Sequence, residues 1–231
     1  MIGTLINVVA ILVGGSLGLL FGGRLSERLK TTVIAGLGLF TAVTGIKMFF
    51  ETKNSLIVLG ALLVGMLLGE WWRIEDGLQA LGEFFERKFN RGGDSNRFVR
   101  GFLTASMLFC IGPIAILGSI QDGLTGDYKL LAIKSVLDGF AALAFASSLG
   151  VGVLFSSIMI LLYQGSISLL AAQLNSIVTP AMTAEMTATG GVLLLGIAIS
   201  SLLELKKIRV GNFLPALVIA PLIVAILALF K

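Results

Sequence analysis

The chain contains no histidine. Histidine proton relays, histidine metal sites and Ser-His-Asp triads are therefore excluded. A single cysteine, Cys110, rules out an internal disulfide and any CxxC metal or redox motif. Charge is scarce too. Only 13% of the 231 residues are Asp, Glu, Lys or Arg, against about 25% in a soluble domain. Such a chain has no charged surface to show to water. In its place 56% of the residues are hydrophobic, and the mean hydropathy is +1.00. An integral membrane protein follows, with the lipid bilayer as its first partner. The net charge of +4 is not laid out as basic residues interleaved with aromatics, so no nucleic acid is expected. No residue pattern implies a cofactor, and no metal ligand set can be named.

About 20 apolar residues cross a bilayer core. Eight segments qualify, at roughly 2–22, 32–50, 55–72, 98–120, 130–148, 152–173, 183–204 and 212–230. The expected fold class is an all-α polytopic membrane protein with about eight transmembrane helices and one amphipathic cytoplasmic-side helix. Residues 1–23 lack a basic leader and a cleavage pattern, and read as a retained first span. Leu149-Gly150-Val151 demands a tight hairpin between the fifth and sixth spans. In 75–89, Leu78, Leu81, Phe85 and Phe89 recur at helical spacing opposite Glu75, Gln79, Glu83, Glu86 and Arg87. This amphipathic helix extends the third span or lies on the inner membrane face. The polar turn at 90–96 follows. The whole of 1–231 reads as a single transmembrane domain, with three spans plus the amphipathic helix in 1–90 and five spans in 97–231. No internal repeat is evident.

Basic residues set the orientation. Arg24, Arg28, Lys30, Arg73, Arg87, Lys88, Arg91, Arg97, Arg100, Lys206, Lys207 and Arg209 all fall in odd-numbered connections, and make up 12 of the 17 Lys and Arg residues. Loops 24–30, 73–100 and 205–211 are thus expected in the cytoplasm, with both termini outside.

Asp138 stands at the centre of an apolar span, one helical turn after Lys134. On insertion scales Lys and Asp each cost roughly 2.5–3.5 kcal/mol at a helix centre, while the eight Leu, Ile, Val and Phe residues between Leu130 and Phe145 return roughly 2.5–5 kcal/mol together. Two central charges would about cancel that gain. Lys134 lies near the helix start and can extend to the headgroups. Asp138 is short and must be met within the bundle. Either a structural ion pair or an ion- or proton-binding role fits these facts. Lys134, Asp138, Ala142, Ala146 and Gly150 form a stripe that turns from charged to small, so this face is expected to point inward.

Partners for Asp138 can be sought on other spans. Gln164 lies near the middle of the sixth span, and the hairpin brings it to a similar depth. Asn7 shares a face of the first helix with Gly14 and Gly18. Gly112-Pro113 interrupts the fourth span, and broken helices commonly build ion sites near mid-membrane. Ser119, Gln121 and Asp122 would then line the outer mouth. Glu185 falls in the first turn of a helix starting at 183, where a carboxylate suits the dipole. The stripes Gly14/Gly18/Gly22 and Ala61/Gly65/Gly69 suit internal packing or a homo-oligomer seam.

Gly3-Thr4-Leu5-Ile6-Asn7, Gly14-Gly15-Ser16-Leu17-Gly18, the stretch from Gly112-Pro113 to Asp122-Gly123, and Lys134-Ser135-Val136-Leu137-Asp138-Gly139-Phe140 resemble the bacterial YqgA/YdfK family of multi-pass membrane proteins. The resemblance covers nearly the whole chain, and the Gly112-Pro113 motif is its most specific part. It implies a membrane fold and a bacterial cytoplasmic (inner) membrane. That family's function is unknown, so the resemblance implies no activity.

The residues favour a small secondary transporter or channel for a cation, a proton or a small polar solute. The alternative is a non-transporting membrane scaffold or regulatory subunit. An intramembrane enzyme is not expected, because no HExxH motif, paired aspartates or Ser-Lys dyad is present at a sensible depth.

Overall fold

The computed structural model describes residues 1–22, 26–89 and 95–229. Arg24, Arg91 and most of the polar turn at 90–96 lie outside them. The described residues form helices and no strand. In order they are α1 (Ile2–Gly22), α2 (Glu27–Phe49), α3 (Ser55–Trp72), α4 (Ile74–Phe89), α5 (Ser95–Cys110), α6 (Pro113–Thr125), α7 (Lys129–Leu149), α8 (Gly152–Leu169), α9 (Ala171–Ile177), α10 (Pro180–Ile197) and α11 (Ala216–Ala228). A π-helical turn, Ala198–Leu202, prolongs α10, and a 3-10 turn, Val210–Phe213, precedes α11. Seven helices are long and apolar enough to cross a bilayer, and α5 with α6 makes an eighth span when the bent pair is counted as one. Leu20, Phe40, Leu67, Trp71, Phe140 and Leu222 are exposed, as lipid-facing side chains of such helices are.

The chain folds as two units, 1–36 with 79–176 and 37–78 with 177–231. In the first unit α1 and α7 run in the same direction. Gly3 faces Leu131, Gly14 faces Gly139, Gly18 faces Leu143 and Gly22 faces Ser147. The Gly14/Gly18/Gly22 stripe is therefore used in internal packing against α7, the first of the two expected uses. The bent pair α5–α6 runs parallel to α8. Gly152 meets the Phe98 carbonyl at one end, and Ser168 meets the Ser119 carbonyl at the other. These contacts are separated by 16 residues of α8, about 24 Å of helix. The broken pair thus travels the depth of a bilayer core beside α8 and does not turn back.

Local chemistry explains the ends. Gly112 has φ 145°, open to glycine alone among the common residues, and Pro113 occupies the first position of α6. The Gly-Pro pair therefore ends one helix and starts another, bending the span by 64°. Gly150, at φ 85°, makes the expected hairpin between α7 and α8. The amphipathic α4 is a separate helix, set off from α3 by Arg73 in the left-handed region. Its Phe85 packs on Phe102 of α5 and Phe155 of α8.

The second unit gathers α3, α10, α11 and most of α2. Gly65 and Gly69 bed on Ala216 and on the Asn212 carbonyl, and Ala61 packs with Ala216 and Ala220. This stripe too is spent on internal packing. Glu185 departs from its expected role. α10 starts at Pro180, capped by Thr179, whose side chain accepts from Met182 N–H at 3.2 Å. Glu185 is a turn and a half further in, buried, and accepts from Lys53 N–H at 2.8 Å, Asn54 N–H at 3.1 Å and the Thr52 hydroxyl. It caps the start of α3, not its own helix.

At the opposite end of α3, Asn212 Oδ1 accepts from Glu75 N–H at 2.7 Å, Glu75 Oε2 accepts from Gly211 N–H at 2.6 Å, and Arg209 pairs with Glu70 at 2.8 Å. Burial is the largest influence on Glu75 and raises its pKa above the ordinary 4.5, against the lowering effects of the Gly211 hydrogen bond and Arg209. The folded protein then holds a proton at Glu75 that the unfolded chain releases. Stability should fall as pH rises upward from 4.5, and Glu75→Gln should flatten that slope. Melting temperatures in detergent across this range test it; a parallel slope for the variant would refute it.

Candidate functional site

α7 carries Lys134 and Asp138 one turn apart on its buried face. α1, parallel to it, and α8, antiparallel to it, present Asn7 and Gln164 to the same point. Asp138 Oδ2 accepts from Lys134 Nζ and, at 2.9 Å, from Asn7 Nδ2. The same Asn7 amide also reaches Gln164 Oε1 at 3.3 Å. Asn7 and Gln164 are 0% exposed, Lys134 7% and Asp138 8%. Four polar side chains from three helices thus meet at one depth in an apolar surround.

Lys134 departs from its expected course. It does not extend to the headgroups but turns along the helix to Asp138. The reason is electrostatic: inside the bundle an unpaired carboxylate is far more costly than a lysine held inward. Its ammonium also lies 6.0 Å from the centre of the Phe109 ring. Phe109 and Cys110 end α5, so the break in the span stands beside the charged pair. Cys110 is within electrostatic range of both Lys134 and Asp138, and Tyr163 is within range of Cys110. Gly112 and Pro113 supply the break itself through their backbone. The small part of the α7 stripe is buried as expected, with Ala142 and Ala146 at most 1% exposed.

Asn7 Oδ1 and Gln164 Nε2 are buried and have no hydrogen-bond partner within the protein. One is an acceptor and the other a donor. Buried polar atoms are nearly always satisfied, so two such atoms on neighbouring helices stand out.

The three residues expected at an outer mouth are not grouped as one. Asp122 is buried, and its Oδ2 accepts from Gly3 N–H at 3.0 Å, with the Met1 amino group 3.2 Å away. Ser119 is buried and its hydroxyl donates to the Ala115 carbonyl at 2.6 Å. Gln121 is half-buried and donates to Asp127 at 3.3 Å. Thr4 escaped the sequence reading. It is 0% exposed and its hydroxyl has no partner within the protein. Its one visible signal is a spacing of three residues from Asn7, which puts both on one face of α1. Among the described residues no group of three or more Cys, Asp or Glu could share a metal ion.

The profile of the family described as "Protein of unknown function (DUF554)" matches residues 2–225. The chain belongs to that family. It is 35% identical over 222 residues to the "Uncharacterized protein YqgA" of Escherichia coli (strain K12), covering 95% of this chain and 94% of that one. It is 30% identical over 234 residues to the "Uncharacterized membrane protein YdfK" of Bacillus subtilis (strain 168), covering 100% and 98%. No solved structure matches. The family is membrane-embedded by the second relative's description, and the all-helical, polytopic fold of this member agrees.

Proposed function

We propose that the protein is a small secondary transporter or channel, not an enzyme, with Asp138 as the group that binds a cation, a proton or a cationic end of a small polar solute. The observation that carries this reading is the meeting of Asp138, Lys134, Asn7 and Gln164 beside a broken span. An ammonium already sits on the carboxylate, so the site accommodates positive charge. An incoming cation or proton would compete with Lys134 for Asp138, and the loose ends of Asn7 and Gln164 would supply one acceptor and one donor. The adjacent break at Cys110–Pro113 is where helix geometry can change at least cost.

The family's membrane character and the distribution of basic residues support a bacterial inner-membrane location with the termini outside. The parallel course of α1 and α7 agrees with an eight-span chain whose ends share one face.

Proteoliposomes with imposed proton, sodium, potassium or magnesium gradients provide the test. Asp138→Asn, which keeps shape and removes charge, should abolish the flux that the native protein supports. Unchanged flux would sink the assignment.

A scaffold or regulatory subunit is the second reading, favoured by the direct, nearly dry contact of Lys134 with Asp138. It requires that the pair be replaceable by apolar side chains without functional consequence.

A further inference from the structure

Thr4 and Asp122 share a property with the two amides at the site. The Thr4 hydroxyl, Asp122 Oδ1, Asn7 Oδ1 and Gln164 Nε2 are all buried without a partner in the protein. They are not scattered. Asp122 Oδ2 holds Gly3 N–H, and Asn7 holds Asp138, so the two carboxylates attach to α1 four residues apart, about 6 Å along its axis. Thr4 lies between these attachment points on the same face. On α8, Ser168 stands one turn from Gln164 and donates to the Ser119 carbonyl of α6 at 3.0 Å. Ser119 is in turn three residues from Asp122. The four helices α1, α6, α7 and α8 therefore enclose a polar column, with Asp122 at one end and Asp138 at the other.

The column is one-sided. α1 starts, α6 ends, α7 starts and α8 ends at the Asp122 end, so that end faces the membrane surface from which residue 1 enters. Beyond Asp138 the buried faces of α1, α7 and α8 pack tightly, and the buried Ser156 hydroxyl there donates to the Val153 carbonyl. Ile11, Ala142, Phe145, Ala146 and Ile160 are at most 1% exposed. There the α1 backbone closes onto the Gly139 and Leu143 carbonyls.

We propose that this column is a hydrated proton path that leads from Asp122 to Asp138 and is sealed beyond Asp138 in the present state. This rests on the reading of Asp138 as the binding group and narrows its cargo to the proton. The unpartnered atoms along it comprise one hydroxyl, two acceptor oxygens and one N–H donor, the mix that a relay of waters needs, and the described residues offer no acidic cage for a divalent ion. The titratable groups near Asp138 are Lys134 on α7, in direct contact, Cys110 on α5, next in sequence to the Phe109 ring that Lys134 approaches, and Tyr163 on α8, next in sequence to Gln164. Facing Asp122 is the Met1 amino group. In the chemical step a hydronium at the inner end of the water relay loses an O–H bond, becoming water, as an O–H bond forms on the Asp138 carboxylate in competition with the Lys134 ammonium. Nothing is oxidised or reduced.

Two measurements on the full chain test the path. The first is X-ray radiolytic labelling in ¹⁸O water of Thr4→Cys and Ile11→Cys, each in a Cys110→Ser background. The Thr4→Cys thiol should take up ¹⁸O and the Ile11→Cys thiol none. The second is proton flux in proteoliposomes carrying a luminal pH dye. Asp122→Asn, which can still accept from Gly3 N–H, should slow it by roughly tenfold or more, and Asp138→Asn should abolish it. If Thr4→Cys is as inert as Ile11→Cys while Asp138→Asn still abolishes flux, the path is wrong and the Asp138 reading stands. If Thr4→Cys is labelled but Asp138→Asn leaves flux intact, the Asp138 reading fails and proton delivery to it fails as well.

Discussion

Asp138→Leu should destabilise the protein by about 3–5 kcal/mol, and adding Lys134→Met should return most of that loss. The single variant strands the Lys134 ammonium, whose remaining close neighbour is the Phe109 ring 6.0 Å away. It also takes the carboxylate from Asn7, which keeps only the longer contact to Gln164. The double variant removes both charges together and fills their space with carbon, which is often neutral or stabilising for a buried pair. Its residual cost is the lost Asn7 hydrogen bond, about 1 kcal/mol. Reversible unfolding of detergent-solubilised protein should therefore show strong non-additivity between positions 134 and 138. Additive losses would mean that the two side chains do not depend on each other. The same double variant separates the two functional readings. A stable protein without flux makes the pair a working site; a stable protein with native behaviour in cells makes it a structural pair.

What the residues revealed in advance was the part governed by energy along one helix. A carboxylate at the centre of an apolar span must be met inside, and that argument needs no coordinates. It led to Asp138, and the hairpin at Gly150 led to Gln164 at matching depth. The stripe of Gly14 and Gly18 placed Asn7 on the packed face of α1. The course of Lys134 was missed because side-chain lean on an isolated helix points it outward, whereas the competing term is the unmet charge of a neighbour. The partner of Asp122 was missed for a related reason. The broken span suggested an outer mouth for Asp122, but its bonded partner is the start of α1, more than a hundred residues away in sequence, and no local pattern encodes that pairing. Glu185 shows the same effect: its carboxylate serves the turn before α3, again a long-range partner. Thr4 was silent because one threonine among apolar residues is unremarkable until its burial is known. The pattern is consistent: periodicity and insertion energy are local and legible, while the choice of polar partner is decided by which helices become neighbours.

Gly14→Ala and Gly18→Ala should each destabilise the protein by about 1–3 kcal/mol, and together should uncouple the site without touching any polar residue. A Cβ at Gly14 would stand 2.0 Å from the Gly139 carbonyl oxygen, and one at Gly18 would stand 2.2 Å from the Leu143 carbonyl oxygen. Both obstacles are backbone, so no side-chain rotation relieves them and α1 must lift away from α7. Ordinary contact begins at 3.4 Å, so the required movement exceeds 1 Å. Asn7 lies two turns up the same face, and its 2.9 Å bond to Asp138 would stretch with it. Gly36→Ala is the control. That glycine is also within a helix, α2, but a Cβ there meets nothing within 4 Å, so the change should be neutral or stabilising by up to about 1 kcal/mol. Thermal unfolding of the three variants checks the seating of α1, and flux through Gly14→Ala/Gly18→Ala checks its link to the site. If Gly14→Ala and Gly18→Ala melt like Gly36→Ala, α1 does not rest on the α7 backbone, and the geometry that delivers Asn7 to Asp138 loses its foundation.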